Sequence, residues 1–101
     1  MTAMEFEWDP VKAQSNNKKH GVAFSDAALI FADSNMMTMY DKEHSLDEDR
    51  YLSLGRTPKG AVLMVSHTHR STSDSEVIRI ISARPADNDE EAVYYGEEEK
   101  E

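Results

Sequence analysis

Apolar positions are densest in Val77–Ile78–Arg79–Ile80–Ile81–Ser82–Ala83–Arg84, and the β-branched content there predicts a central strand. Period-two geometry puts Val77, Arg79, Ile81 and Ala83 on one face, and Ile78, Ile80, Ser82 and Arg84 on the other. Each face therefore carries one arginine. A strand of this kind sits beside something anionic, or its arginines pair with carboxylates on neighbouring elements.

The rest of the chain is read around this strand. Glu5–Phe6–Glu7–Trp8 alternates polar and apolar residues, as a short edge strand does. Asp9–Pro10 opens a helix, with Asp as cap and Pro at the first helical position. It runs to about Lys19 and ends at His20–Gly21. Phe24–Ser25 opens a more buried second helix, with Ser25 as cap and Phe24 packed on Leu29. It ends near Asp33–Asn35. Met36–Tyr40, Arg50–Arg56 and Ala61–His69 read as strands, and the methionines of the first as core and interface filler. Asp41–Asp49 is an acidic loop, Thr57–Gly60 a tight turn and Arg70–Asp74 a polar loop. Pro85 stops the arginine strand, and Asp87 with Glu90 has capping-box spacing before a helix over Asn88–Tyr95. The expected order is β-α-α-β-β-β-β-α. It implies an α+β fold, a small antiparallel meander with helices packed on one face. One domain should span residues 4–95, with an acidic, disordered tail over 96–101.

Composition narrows the function classes. The 101-residue chain has room for one modest core. It has no cysteine, so disulfides, thiolate metal sites and thiol nucleophiles are excluded. No apolar run is long enough to span a bilayer and no signal peptide is visible, which favours a cytoplasmic protein without membrane contact. The net charge of −9 is unevenly placed. Residues 1–84 hold 12 Asp/Glu against 10 Lys/Arg, and residues 85–101 hold 8 Asp/Glu against one Lys. The tail would be repelled by nucleic-acid phosphates, whereas the body can still carry a basic cleft.

Several groups could carry chemistry. His67 and His69, two apart on one strand, point to one face. They offer a metal pair that lacks its further ligands, an acid–base group at His67, or a strand-end histidine packed on Leu63 and Val65. Arg56, Arg70, Arg79 and Arg84 lie in or at the ends of three successive strands. Their ionised forks suit a phosphate and the pentacoordinate state of its transfer, or salt bridges to the many carboxylates. Lys18–Lys19–His20 is either a phosphate-contacting corner or a cluster of cations at a helix C-terminus.

Phe6–Glu7–Trp8–Asp9, Lys19–His20–Gly21–Val22 with Phe24, Asp33, His44–Ser45, Gly55–Arg56, His67–Thr68, Arg70 and Arg79–Ile80–Ile81–Ser82–Ala83–Arg84 together resemble the BrnT toxin family over about residues 4–95. The resemblance implies a RelE-like fold and a metal-independent endoribonuclease toxin of a type II toxin–antitoxin pair. It implies a BrnA-like ribbon-helix-helix antitoxin as partner, RNA as substrate, contact with operator DNA only through the antitoxin, and no cofactor. Carried over by position, His20, Arg56, His67, Arg79 and Arg84 become the expected catalytic residues. Lys19, Arg70, Tyr94 and Tyr95 become the expected RNA contacts, and no residue is expected to bind a metal. One segment departs from the family pattern. The helix after the last strand, basic in such toxins, is here Pro85–Ala86–Asp87–Asn88–Asp89–Glu90–Glu91–Ala92, without a base. This favours an alternative, a degenerate toxin that binds the antitoxin and assists repression.

Overall fold

A computed structural model describes residues 3–96. The elements follow as β1 (Ala3–Glu7), α1 (Pro10–His20), α2 (Phe24–Ala28), β2 (Met37–Tyr40), β3 (Tyr51–Arg56), β4 (Val62–Ser71), β5 (Ser75–Pro85) and α3 (Asn88–Tyr95). Short 3-10 turns cover Leu29–Ala32 and Lys42–His44. The expected tail lies, beyond Gly96, outside the described residues.

The five strands form one sheet in the order β1-β5-β4-β3-β2. Strands β2 to β5 make an antiparallel meander, but β1 lies parallel to β5, with Phe6 opposite Ile78 and Glu7 opposite Arg79. The sheet is thus mixed rather than wholly antiparallel. Five residues of β1 carry no signal of direction, and their partner lies some 70 positions away.

The helices are also divided between the faces. α1 and α2 cover one face, where Phe24, Ala27 and Ile30 pack on Leu63, Val65, Ile78, Ile80 and Ala83. Each of the larger side chains contributes about 1.5–3 kcal/mol through burial, and each alanine methyl about 0.8 kcal/mol. α3 lies against the opposite face, where its Val93 stands with Met37, Met39, Leu52, Leu54 and Met64 around a small apolar cavity. The expected one-sided arrangement fails because β3 and β4 present apolar residues in both directions.

α1 begins and ends as its sequence predicts. Asp9 accepts from the Val11 N–H at 2.8 Å, Pro10 is the first helical residue, and Gly21 closes the helix at φ 70°. α2 does not. Its cap is Ala23, without a side-chain bond, and Ser25 lies inside the helix. Phe24 meets the Trp8 ring edge-on at 6.0 Å, while Leu29 stays exposed instead of packing on it. The 3-10 turn then presses on β3 so closely that a Cβ at Gly55 would lie 2.7 Å from Ile30 Cβ. Only glycine fits there.

Candidate functional site

The β4–β5 ladder shifts register between Ser66 and His67. Ser66 pairs with Ser82 and His67 with Ile80, which leaves Ile81 as an extra residue on β5. A bulge of this kind reverses which face the following residues occupy. Residues directly opposite in a ladder share a face. Arg79 pairs with Thr68 and Arg84 with Met64, both even-numbered positions of β4, so the two arginines lie on the same face. The period-two assignment to opposite faces is corrected by the bulge. Arg70 of β4 and Arg56 of β3, paired with Val77 and Val62, belong to that face too. Four arginines from three strands therefore line one face, the one on which α3 lies.

Three of them are paired with carboxylates. Arg84 donates from Nη1 and Nη2 to both oxygens of Glu90, at 2.7 and 2.8 Å. This fork holds the Glu90 carboxyl below its usual range and raises Arg84. Glu90 also accepts from the Asp87 N–H at 2.9 Å while the Asp87 side chain accepts from the Glu90 N–H, so one residue caps α3 and docks it on β5. At the other end of the face, Glu7 accepts from Arg70 at 3.1 Å and from Arg79 at 3.3 Å. Arg79 and Arg84 are five residues apart, roughly 15 Å along an extended strand. As they stand, each would meet a different part of a bound chain.

Arg56 is the one of the four without an ion pair among the described residues. It opens onto a cleft of about 440 Å³ shared with Leu29, Asp33, Asn35, Thr57 and Tyr94. Asp33 accepts from the Arg56 N–H at 2.8 Å and from the Tyr94 hydroxyl. Burial pushes the Asp33 carboxyl up, but these bonds, one from the Asn35 N–H and the Arg56 charge outweigh it and hold the group below its usual range. The Tyr94 hydroxyl, donating to Asp33, is pushed up to about 12. Tyr95 stands exposed, edge-on to Tyr94 with ring centroids 5.0 Å apart.

His67 does not join this face. It pairs with Tyr51 and Ile80 on the side covered by α1 and α2, and is 2 % exposed. Phe31 meets its ring edge-on and Tyr51 stacks on it. Burial lowers its pKa, so the imidazole is neutral at pH 7. With Nδ1 against the Thr68 carbonyl at 3.3 Å, Nε2 is left to accept from the Ser53 hydroxyl at 2.7 Å. Ser53 in turn shares a hydrogen bond with Thr38 at 2.7 Å. The geometry separates His67 from every arginine of the row by the thickness of the sheet. His69 pairs with Glu76 at 3.0 Å, and no group of three potential metal ligands occurs among the described residues.

Lys19 and His20 end α1 one turn beyond Asn16, and so share its side of the helix. Asn16 is buried. Its amide donates to the carbonyls of Ala83 and Val22, at 2.9 and 3.1 Å, and its carbonyl accepts from the Ala83 N–H at 3.1 Å. β1 pairs with β5 only as far as Arg79, so Asn16 replaces a strand partner at Ala83. This side chain fastens the Lys19–His20–Gly21 corner to the Ala83–Arg84 end of β5. Nothing in the sequence marks Asn16, because its partners are backbone atoms 67 residues away. Glu7 and Glu90 were equally without a visible role as arginine partners.

No helix among the described residues is long and apolar enough to cross a membrane. A search of curated proteins finds no match to the chain. Among solved structures, the 1.1 Å crystal structure of the Brucella abortus ribonuclease toxin BrnT is similar, with a TM-score of 0.61 and 22 % identity, over 86 % of this chain and 100 % of that one. The likeness concerns the fold. Residues 8–90 match the family model described as the ribonuclease toxin BrnT of type II toxin–antitoxin systems. With most of its length inside that match, the chain belongs to the BrnT family of ribonuclease toxins of type II toxin–antitoxin systems.

Proposed function

We propose that this chain is a metal-independent endoribonuclease that acts in the cytoplasm and is neutralised by a BrnA-like ribbon-helix-helix antitoxin, through which alone it meets operator DNA. The observation that carries the proposal is the row Arg56, Arg70, Arg79 and Arg84 on one face of the sheet. The guanidinium group nearest the scissile phosphate would stabilise the charge that builds there during transfer, and the others would hold neighbouring phosphates. In the reaction, the ribose 2′-oxygen attacks the adjacent phosphorus, the bond to the 5′-oxygen breaks, and a 2′,3′-cyclic phosphate forms. One proton leaves the 2′-hydroxyl and one reaches the departing 5′-oxygen. His20, at the end of α1 that Asn16 fastens to the Ala83 edge of β5, is offered for this exchange in place of buried His67, which orders the sheet interior through Ser53. Since α1 covers the face opposite the row, the RNA would have to cross that edge to meet both. Lys19 and Arg70 would hold flanking phosphates, and Tyr94 and Tyr95 a base.

The carboxylates on Arg70, Arg79 and Arg84 favour a second reading. Here the chain is a catalytically degenerate toxin whose remaining work is to bind the antitoxin. The test is cleavage of a mixed-sequence RNA in EDTA by the native chain and by Arg79→Ala/Arg84→Ala, with circular dichroism as the folding control. Cleavage that only the native chain performs supports the nuclease. A folded native chain that leaves RNA intact supports the binding module.

A further inference from the structure

The two edges of the sheet differ in how they are protected. β1 carries Glu5 and Glu7, and Glu7 is engaged with two arginines. β2 pairs on one side only, with β3, and its residues Met37–Thr38–Met39–Tyr40 are all exposed. It holds no charge and no proline, two of the devices that keep an edge from pairing. Met39 is 61 % exposed. Beside it lies the apolar cavity of about 140 Å³ between Met37, Met39, Leu52, Leu54, Met64 and Val93. That volume is smaller than a ligand pocket and close to one that holds a single benzene ring.

The surroundings are acidic. β2 runs straight into Asp41–Asp49, which holds five carboxylates and one lysine, and Asp49 accepts from the Tyr40 hydroxyl at 3.0 Å. Across the cavity, the first turn of α3 carries Asp89 and Glu91, with Glu90 held by Arg84, and its last turn carries no base. A second copy would set its own acidic 41–49 loop against this one and is a poor occupant.

We propose that the free edge of β2 receives a sixth strand from a basic partner protein, whose extended segment alternates cationic and apolar residues and seats one leucine- or phenylalanine-sized side chain in the cavity under Val93. Main-chain hydrogen bonds to the edge would supply affinity, and the cavity and acidic flanks would supply selection. The inference rests on the toxin–antitoxin reading in so far as the antitoxin is the partner such an edge would serve, but its test needs no ribonuclease activity.

The probe is a fluorescein-labelled nine-residue peptide of alternating lysine and leucine, beside a same-composition peptide with its leucines contiguous. Binding to the whole chain is followed by anisotropy, and the site by ¹⁵N–¹H spectra. The expected result is saturable binding of the alternating peptide, shifts at Met37–Tyr40 and Val93, and slowed amide exchange on β2. Exposed Met39→Lys should weaken binding about tenfold, as loss of an anchor with added like charge does. A Met37→Lys variant repeats the test should Met39→Lys fold poorly. Equal binding of the two peptides, shifts confined to the acidic loop and α3, or no binding overturns the proposal. So does sedimentation showing a dimer that Met39→Lys dissociates, since a second copy would then occupy the edge. Failure of RNA cleavage alone would leave these outcomes unaffected.

Discussion

Gly55→Ala tests the join between the covered face of the sheet and the Arg56 cleft. The added Cβ would stand 2.7 Å from Ile30 Cβ and 3.3 Å from both Ile30 Cδ1 and the Ile30 carbonyl oxygen, against an ordinary contact of 3.4 Å or more. The nearest obstacle is a Cβ, with main chain behind it, so no rotamer change clears it. Overpacking of this kind costs about 1–3 kcal/mol, and the clash with a Cβ places this case near the top of that range. Removing a glycine from a strand returns at most about 1 kcal/mol. A net loss of ~2 kcal/mol lowers the melting temperature of a domain this size by roughly 8–16 °C. The assay is thermal and urea unfolding of the native chain, Gly55→Ala and Gly55→Ala/Ile30→Val. The second substitution removes Cδ1 but keeps Cβ, so it should rescue less than about 0.5 kcal/mol. The 3-10 turn that must give way leads into Asp33, so the Tyr94 and Arg56 resonances should shift in the same variant. A melting temperature within 3 °C of the native value would refute the close approach as the reason for glycine.

Other outcomes follow from the same geometry. Asn16→Ala leaves both backbone groups of Ala83 without their side-chain partner, and should cost about 2–4 kcal/mol, measured by urea unfolding. Glu90→Ala removes the fork on Arg84 and half of the capping box, together about 1–3 kcal/mol for a helix of eight residues. Hydrogen exchange should show α3 losing protection while β4 and β5 keep theirs. Glu7→Gln frees Arg70 and Arg79 with little effect on stability, the pairs being largely exposed. It should tighten RNA binding and steepen its salt dependence. His67 binds its proton more weakly folded than unfolded, so folding stability is intact above pH 6.5 and declines as pH falls below it. Unfolding at pH 7.5 and 5.5 should show this slope, reduced in His67→Gln.

Local signals in the sequence locate most elements. Asp9–Pro10, His20–Gly21 and the Asp87–Glu90 box mark helix ends because the atoms they satisfy are within a few residues. What the sequence hides is long-range. The parallel pairing of β1 has no local cost or benefit to betray it. The Ile81 bulge leaves the apolar run looking continuous, yet it decides that Arg79 and Arg84 share a face. His67 looks like an acid–base group by type and spacing, but its burial depends on Phe31 and Tyr51 meeting over it. Glu90 is legible as a cap, whereas its grip on Arg84 requires α3 to cross to the other side of the sheet.

The parallel seat of β1 also has a bearing on how the toxin is made. Residues 3–7 leave the ribosome well before their partner, residues 75–79, which comes some 70 residues later. At about 5–20 residues per second, that wait lasts roughly 4–14 s. Until β5 emerges, Glu7 has no Arg79 to meet, and the Arg79–Arg84 end of the row does not exist. A nascent chain that has not yet reached β5 therefore lacks the assembled arginine face, and with it any chemistry that depends on the whole row.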